Sequence, residues 1–207
     1  MGAEVLIVAA VEGELEALRG FERDGSWDAC AVGLGLVAAT IGTVLRLSKG
    51  APRTVILVGT CGAYEGSGLS LGDVVTARRI GLIEPGAARE QVEFPERLST
   101  NLLADGPLVD SLARAGAEPA DVATTLGITV DDGLASDVAR TWATQVEHLE
   151  AFGVAAACER AAVAFGAVFG VANVVGSRAR REWRATHRVA EANAARVLGR
   201  WLGARPK

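Results

Sequence analysis

Three cysteines in 207 residues, Cys30, Cys61 and Cys158, are too few and too scattered for a disulfide framework, and no Cys-x-x-Cys pair suggests a zinc ribbon. A reducing cytoplasm fits this usage. Long apolar runs are missing too. No stretch reaches the roughly 18 residues a membrane span needs. The first run, from Val5 to Val11, stops at Glu12, with no basic segment before it and no small-residue cleavage site after it. The expectation is a soluble, intracellular protein with no membrane partner. Positive charge is in short supply, with 21 Lys and Arg against 25 Asp and Glu, a net of −4, which leaves no electrostatic footprint for nucleic acid. Proline is scarce, at 6 residues, and the hydrophobic share of 50% excludes a disordered chain and can fill a sizeable core. Glycine, by contrast, is abundant. Its 25 residues show no period, which excludes collagen-like structure and marks tight backbone sites instead.

Short Val-, Ile- and Ala-rich runs bounded by Gly or an acid alternate with longer segments of helical period, the pattern of an α/β sheet covered on both faces. Strands are expected near 4–10, 28–33, 54–59, 72–78, 123–130 and 166–173. Helices are expected near 12–20, 35–49, 106–116, 134–144, 149–165 and 182–203. The segment 81–107 carries Pro85, Pro95 and Pro107 and reads as a long loop holding at most a short strand. No linker, repeat or break in composition interrupts residues 1–207, so a single domain is expected.

Four constellations could carry chemistry. In the first, the strand from Val5 runs into Glu12, Glu14 and Glu16 as a helix opens. Acids there suit the helix dipole, and they also stand at the carboxyl end of a strand, where open α/β sheets place ligands. In the second, Gly33 and Gly35 make a tight strand-to-helix turn. The third glycine of a dinucleotide fingerprint is missing, with Ala38 in its place, and no acid follows the next strand to hold a ribose, which argues against a nicotinamide cofactor. In the third, Gly59-Thr60-Cys61-Gly62 ends a buried strand, offering a hydroxyl beside backbone that a ligand can approach closely, or simply a turn. Cys61 has no matching motif with His148 or His187 to make it a nucleophile. In the fourth, Glu147 and Glu150 open a helix, and a later apolar strand delivers Asn173, whose amide can both donate to and accept from a purine edge.

Taken in order, these pieces resemble the nucleoside phosphorylase/nucleosidase superfamily, in the branch of the methylthioadenosine/S-adenosylhomocysteine nucleosidases and the futalosine hydrolases. Residues 5–18 are similar to the family's first strand and acidic helix start, 33–39 to its glycine turn, 59–75 to its Gly-Ser/Thr-x-Gly turn, and Leu149-Glu150 to its Met-Glu signature. The run 173–183, NVVGSRARREW, is similar to the futalosine hydrolases in particular. The resemblance implies a single-domain α/β/α sandwich with a mixed, partly closed central sheet. It also implies cleavage of an N-glycosidic bond with no metal or cofactor, and a homodimer or higher homo-oligomer. Carried over residue by residue, Glu14 would activate water, Glu150 would hold the ribose hydroxyls, and Asn173 would bind the leaving base. Gly35, Thr60, Gly62, Leu149, Phe152 and Arg178 would complete the substrate site, Arg178 or Arg181 meeting a substrate carboxylate.

The adenine-specific relatives have an Asp at the place of Asn173. An Asn cannot serve as a general acid, but its amide can hydrogen-bond N7 and O6 of a 6-oxopurine, which points to futalosine of the menaquinone pathway or a related nucleoside. Leu34 and Phe169 stand where phosphorolytic members carry arginines, which favours water as the nucleophile. A phosphorylase with an unusual anion site is the first alternative. A non-catalytic nucleoside-binding homologue is the second, since Leu149, Phe152 and Gly153 depart from the family pattern beside Glu150.

Overall fold

The structure, a computed structural model, describes residues 3–21, 25–50 and 52–203. Eight strands make one sheet: β1 (Val5–Ala9), β2 (Trp27–Ala31), β3 (Thr54–Ala63), β4 (Val74–Leu82), β5 (Asn101–Leu103), β6 (Glu118–Thr124), β7 (Val146–Glu147) and β8 (Ala164–Val174). Among the described residues five α-helices accompany them: α1 (Leu36–Leu47), α2 (Gly106–Arg114), α3 (Asp132–Trp142), α4 (Ala151–Arg160) and α5 (Ala179–Gly203).

The sheet is mixed. β1 runs parallel to β2 and β3, β3 parallel to β8, and β4 parallel to β6, while β4 is antiparallel to β5 and β8, and β7 antiparallel to β3. Because β8 pairs with both β3 and β4, the strands β3, β7, β6, β4 and β8 close a ring, from which β1, β2 and β5 extend. This is the partly closed sheet expected above.

Every residue of β1 is buried, as a central strand covered on both faces requires. Leu6 and Val8 join Val55 and Leu57 in a layer with α1 and α4, whereas Val5, Ile7 and Ala9 join Ile56 and Val58 in a layer with α2 and α5. The two-residue period of each strand thus feeds two cores, one per face, and makes the α/β/α sandwich. Each fully buried Leu or Ile contributes roughly 1.5–3 kcal/mol to that arrangement. None of the helices among the described residues is long and apolar enough to cross a membrane.

Several element boundaries move. The strand expected at 123–130 lies at Glu118–Thr124. Pro119, which lacks an N–H, sits at the start of the strand, where it is tolerated, and the loop that follows leaves Leu126, Ile128 and Val130 exposed. The first expected helix is a 3-10 segment, Glu12–Leu18. The helix expected to reach 165 stops at Arg160, before Ala162 takes a left-handed φ of 53°. The two residues of β7 are too few to leave a periodic signal, and the 81–107 loop does hold a short strand, β5.

Candidate active site

Glu14, Thr60, Gly62, Leu149, Glu150 and Asn173 all line one cleft of about 940 Å³. Three of them mark strand ends: Glu14 follows β1, Gly62 lies late in β3, and Asn173 is the penultimate residue of β8. This is the edge where open α/β sheets bind ligands.

Glu14 is tied to the chain just upstream of it. Its Oε2 accepts the Ala10 N–H at 3.0 Å and the Val11 N–H at 3.4 Å. Its other oxygen rests on β3, where a Cβ added to Gly59 would lie 2.8 Å from Oε1. Burial, and then the charge of Glu150, push its pKa up to about 7, against the pull of the two backbone amides. A carboxyl group poised near neutrality can exchange a proton with bound water.

Glu150 stands at the amino end of α4. Its Oε1 accepts the Gly35 N–H at 2.7 Å across 115 residues of sequence. Gly35 has φ 82° and Gly33 φ 114°, backbone that glycine adopts freely, so this turn aims an amide at a carboxylate of the protein itself. The Nδ1 of His148 lies 3.2 Å from Glu150 Oε2 and 3.1 Å from the Glu150 amide nitrogen. The tautomer decides whether it donates to the first or accepts from the second. The ring stacks on buried Phe169, with centroids 4.0 Å apart. Burial pushes the His148 pKa down, against the pull of Glu150, and so favours the neutral imidazole.

Asn173 is 8% exposed and packs on β3, where a Cβ at Gly62 would meet its Nδ2 at 2.7 Å. The Nδ2 donates to Val174 O at 3.0 Å, leaving its second N–H and the Oδ1 for a ligand. The loop beyond is pinned by Asp132, which accepts from the Ser177 N–H at 2.8 Å and the Ser177 hydroxyl at 2.9 Å. Glu182 of α5 accepts the Val174 N–H at 2.9 Å. Thr60 Oγ1 accepts the Trp183 indole N–H at 3.1 Å, and Trp183 stacks on His187 with centroids 4.4 Å apart.

Two residues expected at the substrate lie outside the lining of this cleft. Phe152 does not line the cleft. It is partly buried against the core, and its N–H donates to Thr124 Oγ1 at 3.0 Å. Arg178 does not line it either. It precedes α5 and pairs with Glu182 at 3.4 Å, one turn along, while Arg180, Arg184 and Arg188 face the cleft in its stead, as Arg181 does not. Glu147, read with Glu150 as a helix opener, belongs to β7. It is held by the Thr129 amide and hydroxyl at 3.0 and 2.6 Å and by the Tyr64 hydroxyl at 3.0 Å. Cys61 reaches the cleft, but burial drives its thiol pKa far up, so it stays a neutral thiol. Gly35 acts through Glu150 rather than as part of the lining.

Residues 25–202 match the model of a family described as the phosphorylase superfamily. The chain belongs to the phosphorylase superfamily. No curated protein matches it. The methylthioadenosine/S-adenosylhomocysteine nucleosidase of Neisseria meningitidis, solved with methylthio-immucillin-A, is similar over 97% of this chain and 99% of its own, with a TM-score of 0.85 at 18% identity. The futalosine hydrolase of Helicobacter pylori is similar over 98% of each chain, with a TM-score of 0.86 at 13% identity. The nucleosidase of Helicobacter pylori bound to butyl-thio-DADMe-immucillin-A gives 0.88 at 12% identity, over 99% of this chain and 100% of its own. At such identities the shared feature is the fold. In this phosphorylase-superfamily chain, sequence reasoning missed His148 as the neighbour of Glu150 and the arginines of α5. The spacing of Arg180, Arg184 and Arg188 at four-residue steps was the signal that could have found the second group.

Proposed function

We propose that the chain is a nucleosidase that hydrolyses the N-glycosidic bond of a 6-oxopurine nucleoside, futalosine foremost. The observation that carries this reading is the convergence of Glu14, Glu150 and Asn173 in one cleft, with Glu14 tuned to about 7 by burial and by Glu150. Ionised Glu14 takes a proton from water, whose oxygen forms the new bond to the anomeric carbon. Glu150, aimed by the Gly35 amide, accepts from the 2′- and 3′-hydroxyls and supports the positive charge that develops on the sugar. The electron pair of the breaking C–N bond moves onto the base, where the Asn173 amide meets N7 and O6, and solvent supplies the proton that completes the free base. Hydrogen bonds of this kind accelerate the reaction insofar as they strengthen in the transition state.

Water as the nucleophile is supported by Leu34, 67% exposed at the cleft rim, and by Phe169, wholly buried under His148, at the two places where a phosphorylase would need arginines. A homodimer is supported by the outer face of α1, where Val37, Ile41, Val44 and Leu45 are all at least half exposed and continue the apolar surface of Leu34. We also assign the chain to the cytoplasm and to menaquinone assembly on the strength of the same substrate.

The test is direct. Purified protein is incubated with futalosine, inosine and methylthioadenosine, with and without phosphate, and release of base is followed. Base from futalosine without phosphate is the expected result. Strict phosphate dependence would make the protein a phosphorylase. Ligand-induced thermal stabilisation with no base from any of the three would make it a binding homologue.

A further inference from the structure

The cleft is larger than a purine and a ribose require. Its volume of about 940 Å³ is near the top of the ~300–1,000 Å³ span of small-molecule sites. One wall is α5, which contributes Arg180, Trp183, Arg184, His187, Arg188 and Glu191, a reach of about 16 Å at ~1.5 Å per residue. Helical phase sorts these side chains into two neighbouring rows: Arg180, Arg184 and Arg188 in one, Trp183, His187 and Glu191 in the other.

The acids near this wall answer only part of its charge. Glu191 lies in the fields of His187 and Arg188 and is opposed by Glu16, so Arg188 already has an anionic neighbour. Arg180 and Arg184 are exposed and have no ion pair among the described residues. Like charges four residues apart work against a helix, and an anion between them removes that repulsion. The guanidinium group is also the side chain best shaped to grip a carboxylate or phosphate through two parallel N–H donors. Neither arginine is needed by the chemistry at Glu14, Glu150 and Asn173.

We propose that Arg180 and Arg184 select nucleosides that carry an anionic substituent, a carboxylate or a phosphate, by pairing with that group at the α5 wall. This rests on reading the cleft as a nucleoside site, and it adds the charge of the substrate to that reading. It also assigns the role expected of Arg178 or Arg181 to the residues that helical phase turns toward the cleft.

The test is equilibrium binding by calorimetry on a Glu14→Gln background, with Arg180 and Arg184 intact or both changed to Ala. Three probes are used: futalosine with its carboxylate, inosine 5′-monophosphate with its phosphate, and uncharged inosine. Losing two charge-assisted contacts is expected to weaken an anionic probe by roughly 10- to 100-fold and leave inosine within about twofold. A loss confined to futalosine names the carboxylate as the group selected, and one confined to the monophosphate names the phosphate. Equal weakening of all three probes, or no weakening of either anion, overturns the proposal. Base release by the unmodified protein is measured separately, so a chain that binds anionic nucleosides without cleaving them would defeat the hydrolase reading while leaving the selectivity intact.

Discussion

Glu14, Glu150 and Asn173 on the floor of the cleft each have polar atoms held by backbone, from Ala10, Gly35 and Val174 respectively. Arg180 and Arg184 on the α5 wall are exposed, with no such anchor among the described residues. The floor is fixed by glycines that let β3 come within van der Waals reach of Glu14 and Asn173, so its geometry exists before any ligand arrives. On the wall, long flexible arginines acquire a geometry only when an anion orders them. Preorganised groups govern the rate of a bond-breaking step, and adaptable charged ones govern which ligand is held. The division predicts that floor variants change kcat for every substrate, and wall variants change the ranking of substrates.

The largest effect is expected from Glu14→Gln, which keeps the shape and the acceptor for Ala10 but removes the proposed base. A fall in kcat of roughly 10²–10⁴-fold on any cleaved nucleoside is expected from steady-state kinetics, with the Kd little changed. Retention of activity would break the assignment of the floor. Gly59→Ala and Gly62→Ala test the same region from beneath, since the new methyl groups would sit 2.8 Å from Glu14 Oε1 and 2.7 Å from Asn173 Nδ2. Real Cβ atoms do not tolerate such contacts, so each side chain must swing away. The expected losses are on the order of 10²-fold in kcat, because small misplacement of a reacting group costs about that much. Because the atoms met are the far ends of side chains that can move, stability by denaturant unfolding is expected to change far less than kcat.

What could be read from the sequence follows the same division. The floor was legible because its residues lie at strand ends and beside glycines, and the partly closed sheet followed from resemblance. Local pattern misled where a tertiary constraint decided. Pro119 hid the start of β6, and Phe152 packs partly buried against the core while its amide donates to the Thr124 hydroxyl. The resemblance over 173–183 implies Arg178 at the substrate, yet α5 begins at Ala179 and its phase turns Arg180 and Arg184 to the cleft. His148 could not be placed beside Glu150 without knowing that β7 ends there and that Phe169 lies under the ring.

The raised pKa of Glu14 gives the next test, with two readouts of defined sign. In the proposed role of base it must be ionised, so kcat/KM is expected to fall as pH drops below about 7, approaching tenfold per unit. Stability runs the other way. Because the folded pKa lies above the unfolded value of a free carboxyl, folding is favoured fully below that value, and the advantage is lost as pH rises through about 7. Glu14→Gln is therefore expected to gain on the unmodified protein by about 2 kcal/mol between pH 5 and pH 8, read from thermal or urea unfolding. A difference that does not change with pH would remove the buried-base account.

Trp183 joins the two regions, since it stands on α5 and donates its indole N–H to Thr60 in β3. Trp183→Phe removes that one hydrogen bond and keeps an aromatic face over the cleft. A net bond of this type contributes about 0.5–1.5 kcal/mol. Because the bond orders the wall rather than touching substrate, that energy is an upper limit on the effect, and the smallest expected change is a rise in KM of no more than about tenfold, at nearly constant kcat, measured with futalosine. Because Trp183 is 42% exposed and stacks on His187, the fold has little to lose from the change. A fall in kcat as large as that of the glycine variants would mean that the wall also sets the geometry of the floor, and the division between rate and selection would have to be redrawn at Thr60.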